Sequence, residues 1–205
     1  MDPRRGVLII ACGALAREIA ALRRANGWTM DVKCLPPELH NRPQRIAPAV
    51  REQIRAHREA YRAIFVAYAE CGTMGALDAV LAEERVERLP GAHCYEFYAG
   101  SRVFAELAEA EPGTFYLTDF LTRHFERLVI AGLGIDRHPE LAEEYFRNYR
   151  KVVYLAQERS GALLEQARQI AARLGLAFEQ RLTGYGALAH NLATLAERGA
   201  QTWQA

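Results

Sequence analysis

Val66-Ala67-Tyr68-Ala69-Glu70-Cys71-Gly72-Thr73-Met74-Gly75-Ala76-Leu77 reads as a buried strand, a glycine-bearing turn that presents one cysteine, and the first turn of a helix. An apolar run of strand length without alternation is what a strand covered on both faces looks like. The chain opens in the same form, with Val7-Leu8-Ile9-Ile10-Ala11-Cys12-Gly13-Ala14-Leu15. Two strand–Cys-Gly–helix units point to a parallel sheet that carries both thiols at one edge.

The remaining segments extend this pattern. After Gly13 a helix is expected to Ala25, with Leu15, Ile19 and Leu22 on one face and Asn26-Gly27 as its stop. Met30–Leu35 alternates and reads as a strand nearer the sheet edge. The proline-rich stretch Pro36–Pro43 excludes regular helix and central strand, because proline lacks an N–H and fixes φ. Arg45–Arg62 carries helical spacing, Ala63–Ala69 is the third strand, Gly75–Glu84 a helix and Val86–Pro90 a short fourth strand. Ser101–Ala110 follows as a helix. Phe115-Tyr116-Leu117 favours strand, and Asp119–Leu128 an amphipathic helix capped by Thr118. Beyond the glycines at 132 and 134 come a helix through Tyr149, a strand Lys151–Ala156, a helix Ala162–Leu174, a strand Leu176–Leu182 and a last helix Ala187–Arg198. Strand and helix alternate throughout. The expected fold is α/β: a mainly parallel sheet flanked by helices in the Rossmann- or flavodoxin-like manner. It forms a single domain over residues 1–205, or two small βα lobes at 1–112 and 113–205.

Bulk composition narrows the partners. The chain has 205 residues, half of them hydrophobic and 25% charged, which is ordinary for a globular protein. A net charge of +1, from 26 basic and 25 acidic residues, argues against nucleic acid or a membrane surface as partner. No apolar run approaches the roughly 20 residues of a membrane span. Arg4-Arg5 before Val7–Ala11 imitates a signal sequence, but the apolar stretch falls short of the about 7–15 residues such a signal requires. A cytoplasmic protein is the expectation. The four cysteines are scattered, as befits structural, catalytic or metal-binding thiols in a reducing compartment.

Those cysteines carry the chemical reading. In open α/β sheets, ligands bind beyond the carboxyl ends of strands, where the strand order reverses. Cys12, Cys34 and Cys71 fall at such ends, and Cys94 follows the fourth strand closely. If the first and third strands are neighbours, about 4.8 Å apart, Cys12 and Cys71 can share one ion. His93 and Cys94 are further ligand types, with Cys34 or His40 able to close the set from the second strand and the proline loop. Borderline nitrogen and sulfur donors suit Zn²⁺, and a set of thiolates suits an iron–sulfur cluster. Glu96 is the candidate general acid or base. Arg42 is a candidate anion contact and Tyr185, between two glycines, a candidate pocket-lining residue. Against this stands the common use of free cysteine as a small buried hydrophobe, the reading favoured for Cys34 taken alone. The spacing of Asp119 and His124 does not make an acid–base pair on one helix face. Gly132-Leu133-Gly134 lacks the third glycine of a dinucleotide fingerprint and reads as a turn.

ACGAL, LPPELHNRP, ECGTMGALD, RLPGAHCYEFYAG, FYLTDFLTRHFERLV and GLGIDRHPEL together resemble the family called domain of unknown function 1638. The resemblance spans Val7 to Leu188. It brings no assigned catalytic residue. It implies a context, since relatives are often encoded near corrinoid-dependent methyltransferases of one-carbon metabolism. Three functions follow. The first is a zinc–thiolate protein of methyl-group metabolism. The second is an iron–sulfur or thiol-redox protein assisting corrinoid reduction. The third is a non-catalytic accessory module that binds a small-molecule ligand, a corrinoid protein or the methyltransferase. Whether the protein is an enzyme stays open at this point.

Overall fold

The strand β1 (Arg5–Cys12) is buried from Val7 to its end, as its unbroken apolar run demands. The computed structural model describes residues 4–201, with side chains through residue 197. In chain order, β1 is followed by a 3₁₀ turn at Gly13–Leu15, α1 (Ala16–Asn26), β2 (Asp31–Leu35), 3₁₀ turns at Pro37–Asn41 and Pro43–Arg45, α2 (Ile46–His57), β3 (Tyr61–Ala67), α3 (Ala76–Glu84) and β4 (Glu87–Arg88). Then come α4 (Cys94–Ala99), α5 (Ser101–Ala110), β5 (Thr114–Thr118), α6 (Asp119–Arg123), a π-turn at Glu126–Ala131, α7 (Leu141–Phe146), β6 (Lys151–Ala156), α8 (Gly161–Leu174), β7 (Ala177–Leu182) and α9 (Gly186–Gln201).

Every strand pairing is parallel, but the strands divide into two sheets, ordered β2-β1-β3-β4 and β5-β6-β7. The chain correspondingly falls into two compact units, one reaching to Cys94 and resuming at Leu188, the other running from Tyr95 to Ala187.

In the first unit β1 is central, paired with β2 on one side and β3 on the other. From β1 the chain moves to one neighbour, β2, and then crosses over to the other, β3. The strand order therefore reverses between β1 and β3, the switch point beyond which open α/β sheets of flavodoxin-like order carry their crevice. Helix α2 packs on β1, β3 and α3, burying Ile46, Ala47, Val50 and Ile54. The edge strand β2 is half-exposed, as its alternation indicated. Helix α2 stops sooner than its spacing suggests. A turn in which Ala60 N–H bonds to His57 O releases the chain, so that Tyr61 pairs with Arg5. Strand β4 is cut to two residues, extended by one bond from Leu89 N–H to Val66 O. Pro90, next in line, has no N–H to continue the ladder.

In the second unit α8 packs on β6 and β7, and α6 on α8. The core gathers Leu117, Phe125, Phe146, Val152, Tyr154 and Ile170. Thr118 caps α6 as expected, accepting from Leu121 N–H. The helix expected to reach Leu128 instead ends at Arg123 and resumes as the π-turn. Leu128, Val129 and Ile130 in this turn are all buried.

Candidate functional site

Cys12 is the last residue of β1, at the carboxyl end of the sheet, with Leu35 beside it in β2. Gly13 follows it, and only glycine fits there. A β-carbon would come within 2.8 Å of Leu35 O and 3.0 Å of Pro37 Cδ, so the proline loop closes directly over the strand end. Cys71 lies beyond the end of β3 in a turn of unusual backbone. Cys71 and Met74 have φ of +52° and +53°, and Gly72 and Gly75 of +77° and +83°. Left-handed geometry is costly for residues with a β-carbon, and such strain collects at functional sites.

Glu70 holds this turn. Its carboxylate accepts from Gly72 N–H at 2.8 Å, from the Thr73 hydroxyl at 2.7 Å and from Gly75 N–H at 3.1 Å. The Thr73 hydroxyl first, and the turn's N–H groups with it, hold the Glu70 carboxyl below the usual carboxylate range. Two further bonds, Glu70 N–H to Gly91 O and Cys71 N–H to Ala92 O, pin the turn to the segment that carries His93 and Cys94. Arg88 braces that segment, gripping Asp78 through two bonds of 2.6 and 3.0 Å and donating to Leu89 O and Gly91 O. At the loop's tip Met74 is 96% exposed, an unusual place for a large apolar side chain.

Cys71 lies within electrostatic reach of Cys12, and both are buried. Burial pushes the Cys12 thiol up to about 11 and the Cys71 thiol up to about 12, outweighing the N–H groups of Ala14 on the first and of Ala69 and Cys94 on the second. Both are neutral thiols at pH 7. Tyr68 sits among them, almost wholly buried, in reach of Cys12, Cys71 and Cys34. Its hydroxyl leans toward the Cys12 sulfur without reaching hydrogen-bond geometry and has no good partner among the described residues. A buried phenol normally has one.

Cys34 is exposed and pairs with Ala11, one rung back from Cys12 and on the opposite sheet face, although its charge still reaches Cys12. On the proline loop, His40 lies within electrostatic reach of His93. Desolvation, then His93, lowers the pKa of His40. Arg42 is exposed between the two 3₁₀ turns. Cys12, Cys34, His40, Cys71, His93 and Cys94 therefore all belong to the carboxyl edge of the first unit. Glu96, in the first turn of α4, and Tyr185, after β7, belong to the second unit and are half-buried there. Among the described residues no three or more His, Cys, Asp or Glu side chains stand ready to hold a metal ion. The donor types suit a soft cation by chemistry: two buried thiols within electrostatic reach of each other, with two further thiols and two imidazoles on the same edge. The set is not closed as it stands.

Sequence reasoning missed Tyr68 and Glu70, though both lie in the stretch around Cys71. The signal for Glu70 was a carboxylate two, three and five residues ahead of Gly72, Thr73 and Gly75. It also missed the polar core of the second unit. There the buried Asp119 carboxylate accepts from the Tyr154 hydroxyl at 2.7 Å and from the N–H groups of Gln157 and Glu158 at 3.1 and 3.0 Å. These satisfied bonds tie the carboxyl ends of β5 and β6 together, a structural role. His124 stacks on Phe120 at 4.6 Å.

The neutral thiols have a consequence for stability. An unfolded cysteine titrates near about 8.5, so above that pH the unfolded chain gives up protons that the native chain retains. Stability from these two groups is complete below about pH 8.5 and is lost as pH rises toward their native values. Chemical denaturation of metal-free protein should show a loss of about 2 kcal/mol per thiol between pH 8 and pH 10. A flat profile over that range contradicts buried, neutral thiols.

No helix among the described residues is long and apolar enough to cross a membrane. No curated protein matches the chain. A family model described as a protein of unknown function, DUF1638, matches residues 34–192, a span that takes in Cys34, His40, Cys71, His93 and Cys94 but not Cys12. That match covers well over half of the chain, which therefore belongs to the DUF1638 family.

Proposed function

We propose that this protein binds a soft metal ion, zinc in the first place, through Cys12 and Cys71 at the β1–β3 crevice, and that it serves methyl-group metabolism in the cytoplasm. The observation that carries the reading is the convergence of thiols from separate βα units on one buried edge, around a phenol left without a good hydrogen bond. Cys94 or His93, on the segment pinned to the Cys71 turn, are the proposed third and fourth ligands, with Cys34 and His40 in reserve at the rim. Zinc bound by thiolates activates a thiol for alkylation or lowers the pKa of a bound water toward about 7. The chain's own contribution is to hold two sulfurs in a water-poor crevice, where a cation displaces their protons. On this reading a small shift of the Tyr68 hydroxyl lets it donate to a Cys12 thiolate once one forms. The link to corrinoid-dependent methyl transfer rests on the family resemblance and is part of the proposal, as is a methyltransferase or corrinoid protein as partner.

The competing reading is a thiol-redox or iron–sulfur protein. Its favouring observation is the electrostatic reach between the same two thiols. A redox nucleophile, however, requires a thiolate near neutral pH, and burial holds both groups protonated. Metal analysis and a visible spectrum of anaerobically purified protein separate these readings. Colourless protein with about one zinc per chain supports the proposal. Brown protein with iron and sulfide replaces it with a cluster. Neither metal, together with co-purification of a partner, leaves the accessory-module reading.

A further inference from the structure

At the other end of the same strands lies a second concavity. It occupies about 430 Å³ at the amino ends of β1, β3 and β4, within the about 300–1,000 Å³ typical of small-molecule pockets. Four arginines from separate stretches line it: Arg4 before β1, Arg58 after α2, Arg62 in β3 and Arg85 after α3. Its apolar lining includes Val7, Phe65, Val86 and Leu195, and Glu87 is the one carboxylate among its lining residues.

The four guanidinium groups are exposed to solvent at the cavity rim, and two of these arginines have distinctive settings. Arg58 is held in place, donating to Glu84 O at 2.8 Å and to the Glu84 carboxylate at 2.7 Å. The same buried carboxylate also accepts from Arg55 at 2.7 Å, so it is shared by two arginines and fixes the Arg58 side chain. Arg85 ends α3 in a left-handed conformation, φ +53°, where glycine or asparagine is the usual residue. Arg85 thus holds a strained backbone position on the rim of a cavity lined by guanidinium groups.

We propose that the amino end of the first sheet binds a phosphate-bearing small molecule, its anionic group gripped by Arg62 and Arg85 beside the oriented Arg58 and its body resting on Val7, Phe65 and Leu195. Guanidinium forks match phosphate oxygens two at a time, which makes arginine the residue for this recognition. The site is independent of the thiol edge. It lies about 17 Å away along β1, from Val7 to Cys12 at about 3.3 Å per residue.

The test is calorimetric titration of the full chain with inorganic pyrophosphate at low ionic strength. Wild-type protein should bind, and Arg62→Ala and Arg85→Gly should each weaken binding at least tenfold. Arg102→Ala, on the exposed face of α5 in the other unit, should bind as the wild type does. Arg85→Gly supplies a second readout, because glycine relieves the left-handed strain. Thermal stability should hold or rise while affinity falls, a split that a merely structural arginine would not produce. Absence of pyrophosphate binding by the wild type, retention of full affinity by both pocket variants, or an equal loss in Arg102→Ala would each overturn the proposal.

Discussion

Cys71→Ser protein, expressed with zinc and purified without air beside the wild type, is expected to retain no zinc while keeping its fold. Cys12→Ser should behave alike. The serine hydroxyl is too weak an acid to become an anionic ligand at neutral pH, so each change removes one of the two buried thiols of the proposed pair. Structural zinc sites contribute about 10–16 kcal/mol over their ligands, so losing one of four costs about 3 kcal/mol, or at least about a hundredfold in affinity. The fold should survive, because both positions are filled by a near-isosteric side chain. Neither thiol makes a bond on which a strand or helix depends, and the Cys71 turn is held by Glu70 and by the Cys71 N–H, which serine keeps. Circular dichroism and the denaturation midpoint check that half of the prediction. Full zinc occupancy in either variant would rule out the ligand pair. If zinc loss came with unfolding, Cys12→Ala would provide a second reading of the same position.

Gly186→Ala should have the largest effect on stability. Gly186 begins α9 at φ +47°, and a β-carbon there would stand 2.4 Å from both Phe97 O and Tyr98 O and 2.9 Å from the Tyr98 carbonyl carbon. These are backbone atoms of α4, which cannot swing aside as a side chain can. Phe97 and Tyr98 are themselves buried, so moving their peptide groups disturbs packed rings. Left-handed strain at a non-glycine residue adds about 1 kcal/mol, and opening the contact adds the larger part. A loss of at least about 3 kcal/mol is expected, near 10 °C in melting temperature for a chain of this size. By contrast Gly161→Ala, with open space around its Cβ position at the start of α8, should be nearly neutral. A Gly186→Ala protein as stable as the wild type would mean that the close approach of α9 to α4 is wrong.

The thiol edge was legible because two strong local signals coincide. Val7–Ala11 and the run up to Tyr68 are apolar without alternation, which marks central strands, and each ends in Cys-Gly or approaches it. Once both are strands of one parallel sheet, their carboxyl ends share an edge whatever the loops do. Other features left no such trace. The bonds from Glu70 and Cys71 to Gly91 and Ala92 run backbone to backbone, and backbone groups carry no residue type to read. Neither the unpaired Tyr68 hydroxyl nor the arginine cavity has a sequence pattern, since each depends on side chains that are distant along the chain. The place of Cys34 is similar. The alternation of β2 was plain, but only the register, Ala11 beside Cys34, puts its thiol on the opposite face from Cys12.

Taken by itself, the amino-acid sequence determined the α/β class, the parallel sense of the strands and the delivery of Cys12 and Cys71 to one side of a sheet, because periodicity and chain direction are local properties. Tertiary structure alone decided that the strands of the described residues divide into two sheets, that the last helix rejoins the first unit at Leu188, and that the segment carrying His93 and Cys94 is pinned to the Cys71 turn. Those outcomes depend on which edges and faces pair across long separations. Such pairing follows from the burial and hydrogen bonding of the whole chain, which no short stretch encodes.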